Sequence, residues 1–81
     1  MTLEALENAD KVIGVKQVAK AVNKGFAVCV FLADDADGRV VGPLQRLCEE
    51  RSVETVHAAT MKELGVACAI EVGAAAAAIL R

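Results

Sequence analysis

GVKQVAKAVNKGFAVCVFLA, residues 14–33, changes its hydrophobic period halfway along. In the first half, Val15, Val18, Ala19 and Val22 fall at i, i+3, i+4 and i+7, which is one face of an α-helix. Gly25 stands where a glycine cap closes a helix. From Phe26 to Ala33 the run is apolar without interruption and stops at Asp34. That length and that acidic stop predict a strand buried on both faces. A helix feeding directly into such a strand is the repeating unit of an α/β fold.

The segments on either side extend the alternation. Thr2 is expected to cap a first helix over about residues 3–9, with Leu3 and Leu6 on one side. A short strand, Lys11–Ile13, follows and ends at Gly14. Beyond DDADG (residues 34–38), a helix is expected from about Pro43, which a first turn tolerates, through Leu44, Leu47 and Cys48 to Arg51. SVETVHA, residues 52–58, reads as a second internal strand. Thr60 then caps a fourth helix, MKELGVAC, with Glu63 three residues later completing a capping box. The order predicts a single domain over residues 1–81, an α/β/α sandwich of three layers. The tail GAAAAAIL pulls two ways: alanine is the best helix former, yet a central strand with close neighbours also selects small side chains. The residues alone leave both open.

Eighty-one residues support one core, and a chain of this length buries only about 60–65% of its unfolded surface. Hydrophobic residues make up 56% of the chain, enough to fold without staples, and with two phenylalanines and no Trp or Tyr the core must be aliphatic. Three cysteines without CxxC spacing argue against a disulfide framework or zinc site and fit a reducing, cytoplasmic compartment. The amino terminus, MTLEALENAD, has no apolar stretch of signal length. The longest apolar run near the other end is about half the roughly 20 residues of a spanning helix, so no membrane is expected as a partner.

The formal net charge is −2, yet Lys16, Lys20 and Lys24 recur every fourth residue. With Gln17 and Asn23 they occupy an arc of about 120° opposite the valine face. A solvated helix face explains most such arcs. Here, however, Lys16 and Gln17 sit in a first turn, where the helix dipole prefers acids, and directly after a glycine that lets an anion approach the backbone N–H groups. Phosphate makes sense of that placement, and local field rather than net charge decides such contact. Asp34, Asp35 and Asp37 do not form a calcium loop: with Gly38 at its sixth position, Ala33 and Leu44 would stand where carboxylates are required. Asp37 is expected to be a turn residue or helix cap. His57 has no partner nearby in sequence, and a Cys48–His57 nucleophile pair would lack an acid to orient it and an oxyanion loop. Cys29 and Cys68 read as small core residues. No phosphate loop or dinucleotide fingerprint is present. Both phenylalanines fall in the buried strand, so recognition by base stacking on exposed aromatics is not expected. No cofactor, metal or catalytic residue is expected.

Taken together, IGVKQVAKAVNKG, LADDAD, LQRLCEERSV and MKELGVACAIEVGAAAAAI resemble the ribosomal protein L-seven-Ae family of kink-turn RNA binders, most of all its short bacterial, YbxF-like branch. The resemblance covers about residues 10–80. It implies a four-stranded mixed sheet between helices and makes the alanine tail a strand. It also implies binding to structured RNA at a kink-turn, where tandem sheared G·A pairs bend a duplex, in ribosomal or riboswitch RNA. By position, it assigns RNA contact to Gly14, Lys16, Gln17 and Lys20 at the start of the second helix. It assigns contact with extruded bases to Ile70, Glu71, Val72 and Gly73, and the lining of a flipped nucleotide to Val41.

Four positions depart from the family's pattern. Lys16 and Gln17 replace the usual Asn-Glu pair, so guanine reading is expected to persist through the Gln17 amide, with more of the affinity coming from salt-sensitive contacts. Met61 stands where many relatives have lysine, with Lys62 beside it as the substitute. Ala69 replaces a glycine whose backbone can require φ > 0. A monomer is expected, with the ribosome as a further partner. The competing expectation is a protein-interaction or structural domain that kept the fold and lost RNA affinity.

Overall fold

The computed structural model describes residues 1–81. After a short 3-10 turn, Leu3–Leu6, the elements are β1 (Lys11–Ile13), α1 (Val15–Asn23), β2 (Ala27–Ala33), α2 (Gly38–Glu50), β3 (Glu54–Ala58), α3 (Met61–Ala67) and β4 (Ala76–Leu80). The strands form one mixed sheet in the order β1-β4-β2-β3. β4 runs antiparallel to both β1 and β2, while β3 runs parallel to β2. No helix is long and apolar enough to cross a membrane.

The alternation of side chains in β2 sorts two cores. Cys29, Phe31 and Ala33 face Leu6 of the 3-10 turn, Leu64 of α3 and Cys68 just after it. Val30 and Leu32 face Val18, Val22, Leu44 and Cys48 of α1 and α2. Helices therefore cover both faces, which is the expected three-layer sandwich. A bulge between Ala27 and Cys29 leaves Val28 exposed and turns Ala27 to the α1–α2 side, because an inserted residue resets the period of two.

The alanine tail is β4, paired along both edges. Ala76, Ala77 and Ala78 are each fully buried, with Ala76 and Ala78 against the α1–α2 core and Ala77 against the other. Helix propensity loses because successive residues of β4 hydrogen-bond alternately toward β1 and β2, and small side chains let both helix layers approach the sheet.

Several local expectations need correction. The first helix is only the 3-10 turn, and Thr2 makes no side-chain cap. α2 begins at Gly38, well before Pro43, because the Asp37 carboxylate accepts from Arg39 N (2.9 Å) and starts the helix there. Pro43 is thus inside α2, preceded by Gly42, whose missing Cβ removes part of the clash that proline imposes on its neighbour. β3 is an edge strand rather than an internal one: it pairs only with β2, and only Ala58 in it is buried. Thr60 caps α3 as expected, its hydroxyl accepting from Glu63 N (3.0 Å). Its capping box is half made, since the Glu63 side chain returns no bond, and the Asp35 carboxylate instead accepts from Met61 N (2.7 Å).

All three helices close with the same pair of backbone bonds. In α1, Gly25 N donates to Val22 O and Phe26 N to Ala21 O; in α2, Ser52 N donates to Glu49 O and Val53 N to Cys48 O. In α3, Ala69 N donates to Val66 O and Ile70 N to Gly65 O. This Schellman closure needs a left-handed residue just past the helix. Gly25, Ser52 and Ala69 supply it with φ of 76°, 56° and 61°.

Candidate nucleic-acid interface

Because β1, β2 and β3 share a direction, all three helices begin at the same end of the sheet, where β4 also starts. The segment joining α3 to β4, residues 68–75, lies at that end too. Backbone bonds lock the parts together. Gly14 N donates to Ala76 O (2.9 Å), Ala33 N to Ala75 O (3.0 Å), and Ala74 N to Met61 O (3.0 Å). The glycine before α1 and the end of the α3–β4 loop are therefore tied to the same end of the sheet.

The start of α1 differs from the other two. Asp37 caps α2, and Thr60 and Asp35 cap α3, but Gly14 gives α1 no side-chain cap. The backbone N–H groups of Val15, Lys16 and Gln17 make no bond within the protein. Gly14 has φ 101° and ψ 144°, a region open almost only to glycine, and this bend turns the chain from β1 into α1 within one residue. Lys16 and Gln17 are both exposed beside those free donors, and no acid lies in the first turn. The result is a helix start with positive dipole, free N–H groups and a lysine, which suits an anion.

The α3–β4 loop is held from below. Ile70 packs against the core beneath α3, while Glu71, Val72 and Gly73 are exposed. Val72 is 71% exposed and precedes β4, so it is a loop residue and not the first core residue of the strand. Gly65, buried inside α3, allows this arrangement: a Cβ there would collide with the Val72 carbonyl oxygen. Gly65 therefore sets the height of the loop above the helix, a role that nothing in its spacing announces.

The remaining assigned residues are more dispersed. Lys20 is exposed one turn along α1 and shares a groove with Gln17, Lys24, Phe26, Val12 and Leu80. Val41 is half-buried against the α1–α2 core, near the start of α2. Lys62 is exposed but lines a different concavity of about 390 Å³, between the 3-10 turn and α3, with Glu4, Glu7 and Glu63. Charge is thus segregated: α1 and its C-cap Lys24 carry three lysines and no acid, whereas the acids of this concavity lie at the 3-10 turn and α3.

Asn23, also on the lysine arc, is tied to Arg51 through its carbonyl (3.5 Å) and its side-chain oxygen (3.3 Å), fastening the end of α1 to the end of α2.

The three aspartates after β2 are used locally. Asp34 lies 2.7 Å from His57 Nδ1, Asp35 caps α3, and Asp37 caps α2 as expected. The Arg39 guanidinium, followed by the Arg39 backbone N–H, holds the Asp37 carboxyl below its ordinary value. The Asp34–His57 contact is new, because parallel pairing of β2 and β3 aligns segments far apart in sequence. It makes no catalytic pair with a thiol. Cys29, Cys48 and Cys68 are free and buried, and burial pushes each thiol's pKa up, away from the thiolate that a nucleophile needs.

Phe26 departs from expectation. It lies before β2, immediately after Gly25, and is 56% exposed, whereas Phe31 is fully buried. Its position after the α1 glycine cap was the available signal, since that cap ends the helix and not the sheet.

The fold is a small α/β domain that exposes backbone donors, an amide and lysines along α1. The chain belongs to the ribosomal protein L7Ae/L30e/S12e/Gadd45 family, whose model matches residues 2–81. It is 43% identical over 82 residues to the RNA-binding protein YbxF of Geobacillus stearothermophilus, covering 100% of both chains. It is 46% identical over 68 residues to an RNA-binding protein of Caldanaerobacter subterraneus subsp. tengcongensis, covering 84% of this chain and 83% of that one. Among solved structures it is similar to the Giardia lamblia 15.5kD RNA binding protein, with a TM-score of 0.89 and 30% identity, over 98% of this chain and 70% of that one. These relatives are named as RNA-binding proteins and not as enzymes.

Proposed function

We propose that this protein is a non-catalytic RNA binder that recognises kink-turns, with the start of α1 at the sheared G·A pairs and the α3–β4 loop at the extruded bases. The observation that carries the reading is the uncapped start of α1, with its free N–H groups, Lys16 and Gln17, bonded through Gly14 to the strand that follows an exposed apolar loop tip. Donors and a lysine suit phosphate. The Gln17 amide offers one acceptor and two donors to a guanine or adenine edge. Val72 offers an apolar contact to a base lifted out of its stack. Lys20 continues the phosphate contacts one turn deeper, and Val41 supports the apolar side of the flipped nucleotide. Lys62 has the weakest support of the set, because it lies among glutamates.

Titration with a kink-turn duplex and with a control duplex lacking the G·A pairs tests the reading. Tight, selective binding of the kink-turn is expected, with affinity that falls as salt rises. Equal, weak binding of both RNAs would leave a basic helix face without base reading. Binding of neither would favour a protein-interaction domain of the same fold.

A further inference from the structure

The groove along α1 reaches well past the residues assigned above. Gln17, Lys20 and Lys24 line one side, Val12 and Leu80 the other, and Phe26 closes the far end. Resting on the RNA-binding reading, we propose that this groove is a second RNA contact: a single strand flanking the folded motif runs along it, phosphates on Lys20 and Lys24, and one base stacks on Phe26.

Four observations carry this. Phe26 is one of only two aromatic residues, and it is 56% exposed although an aliphatic side chain would serve the helix closure equally well. Its backbone is fixed at both polar groups, since Phe26 N donates to Ala21 O (3.0 Å) and Phe26 O accepts from Arg81 N (2.9 Å). The ring therefore stands on a rigid platform, which lowers the entropy cost of stacking. Lys20 and Lys24 share its groove, and α1 has no acid to oppose them. Placement of lysines near a helix C-terminus satisfies the dipole, but that does not account for an exposed phenylalanine beside them.

The dimensions agree with a short strand. Gln17 to Lys24 spans about 10 Å at the 1.5 Å rise of a helix. That length matches about three nucleotides at roughly 3.4 Å each in a stacked strand. Cationic groove and aromatic face are the two elements with which proteins hold single strands without reading their sequence. The flank contact would thus add affinity for any base, while discrimination stays at the start of α1.

The experiment uses the full chain and paired kink-turn RNAs, one blunt and others carrying a short single-stranded extension at the 5′ or the 3′ end. One extension should tighten binding about five- to tenfold, toward the lower end of what base–aromatic stacking supplies. Phe26→Ala and Phe26→Leu should both lose that gain and bind the blunt RNA as the parent does, with unchanged circular dichroism. Because the chain has no Trp or Tyr, Phe26→Trp introduces its sole strong fluorophore, which should be quenched by the extended RNA and not by the blunt one. Equal affinity of the parent for blunt and extended RNAs, or a gain retained by both Phe26 variants, overturns the flank site and leaves the kink-turn reading standing. Failure of the parent to bind any of these RNAs overturns both.

Discussion

Ala69 holds φ at 61° to close α3, in a conformation where its methyl group crowds the following carbonyl oxygen. That crowding costs a non-glycine residue about 1–2 kcal/mol. Ala69→Gly removes it. Glycine also makes the unfolded chain more flexible, which opposes the gain by about 0.4–1 kcal/mol. Ala69 is exposed, so no packed contact is lost with the methyl. The middle of these ranges leaves a net stabilisation of about 0.8 kcal/mol, or roughly 3–6 °C in Tm for a domain of this size. Thermal melts and urea titration of both forms measure it, the urea midpoint rising with an unchanged slope because the surface exposed on unfolding is the same. The bonds Ala69 N to Val66 O and Ile70 N to Gly65 O are kept, so the loop at residues 70–73 should not move and RNA affinity should be equal in the two forms. Gly25→Ala is the reverse experiment at α1 and should lower stability by a similar amount. An unchanged or lower Tm for Ala69→Gly would refute the strain account.

Four further outcomes follow from the same structure. Gln17→Ala should cost about 1–3 kcal/mol on a kink-turn and little on plain duplex, whereas Lys20→Ala should weaken both RNAs alike and lower the salt slope by about one; titrations at several potassium chloride concentrations separate them. Identical, purely salt-dependent losses would remove base reading from Gln17. Val72→Asp should fold normally by circular dichroism, given its 71% exposure, and bind the kink-turn more weakly; full affinity takes Val72 out of the interface. Cys48→Ser should keep RNA affinity and lower Tm by placing a hydroxyl in a fully buried apolar site, and the parent thiol should react with iodoacetamide more slowly than free cysteine. The depressed pKa of Asp37 means that its cap stabilises α2 above the ordinary carboxylate pKa and is lost as pH falls through the lower folded value. Asp37→Ala should therefore lower Tm at neutral pH, and the difference from the parent should vanish in strong acid.

The sequence by itself determined what depends on period and on local chemistry. The change from a period near four to an unbroken apolar run placed α1 and β2 within a residue or two. Gly25 and Thr60 marked helix ends whose hydrogen bonds lie within a few residues of them. The lysine arc was equally legible, because the opposite face of an amphipathic helix must face solvent. Placement of Ile70–Gly73 and Val41 came from resemblance and not from pattern, since a loop has no period to read.

Tertiary structure decided whatever depends on neighbours distant in sequence. Alanines in β4 became a strand because β1 and β2 flank them and two helix layers close over them. β3 became an edge because only one strand lies beside it, which its composition does not reveal. Asp34 met His57, and Asp35 capped α3, through the parallel alignment of β2 with β3 and the return of the chain into α3. Gly65 proved necessary because the Val72 carbonyl folds back onto it. Phe26 was left in the open because the sheet begins one residue later, and a side chain's burial is set by what packs over it, not by the residues on either side.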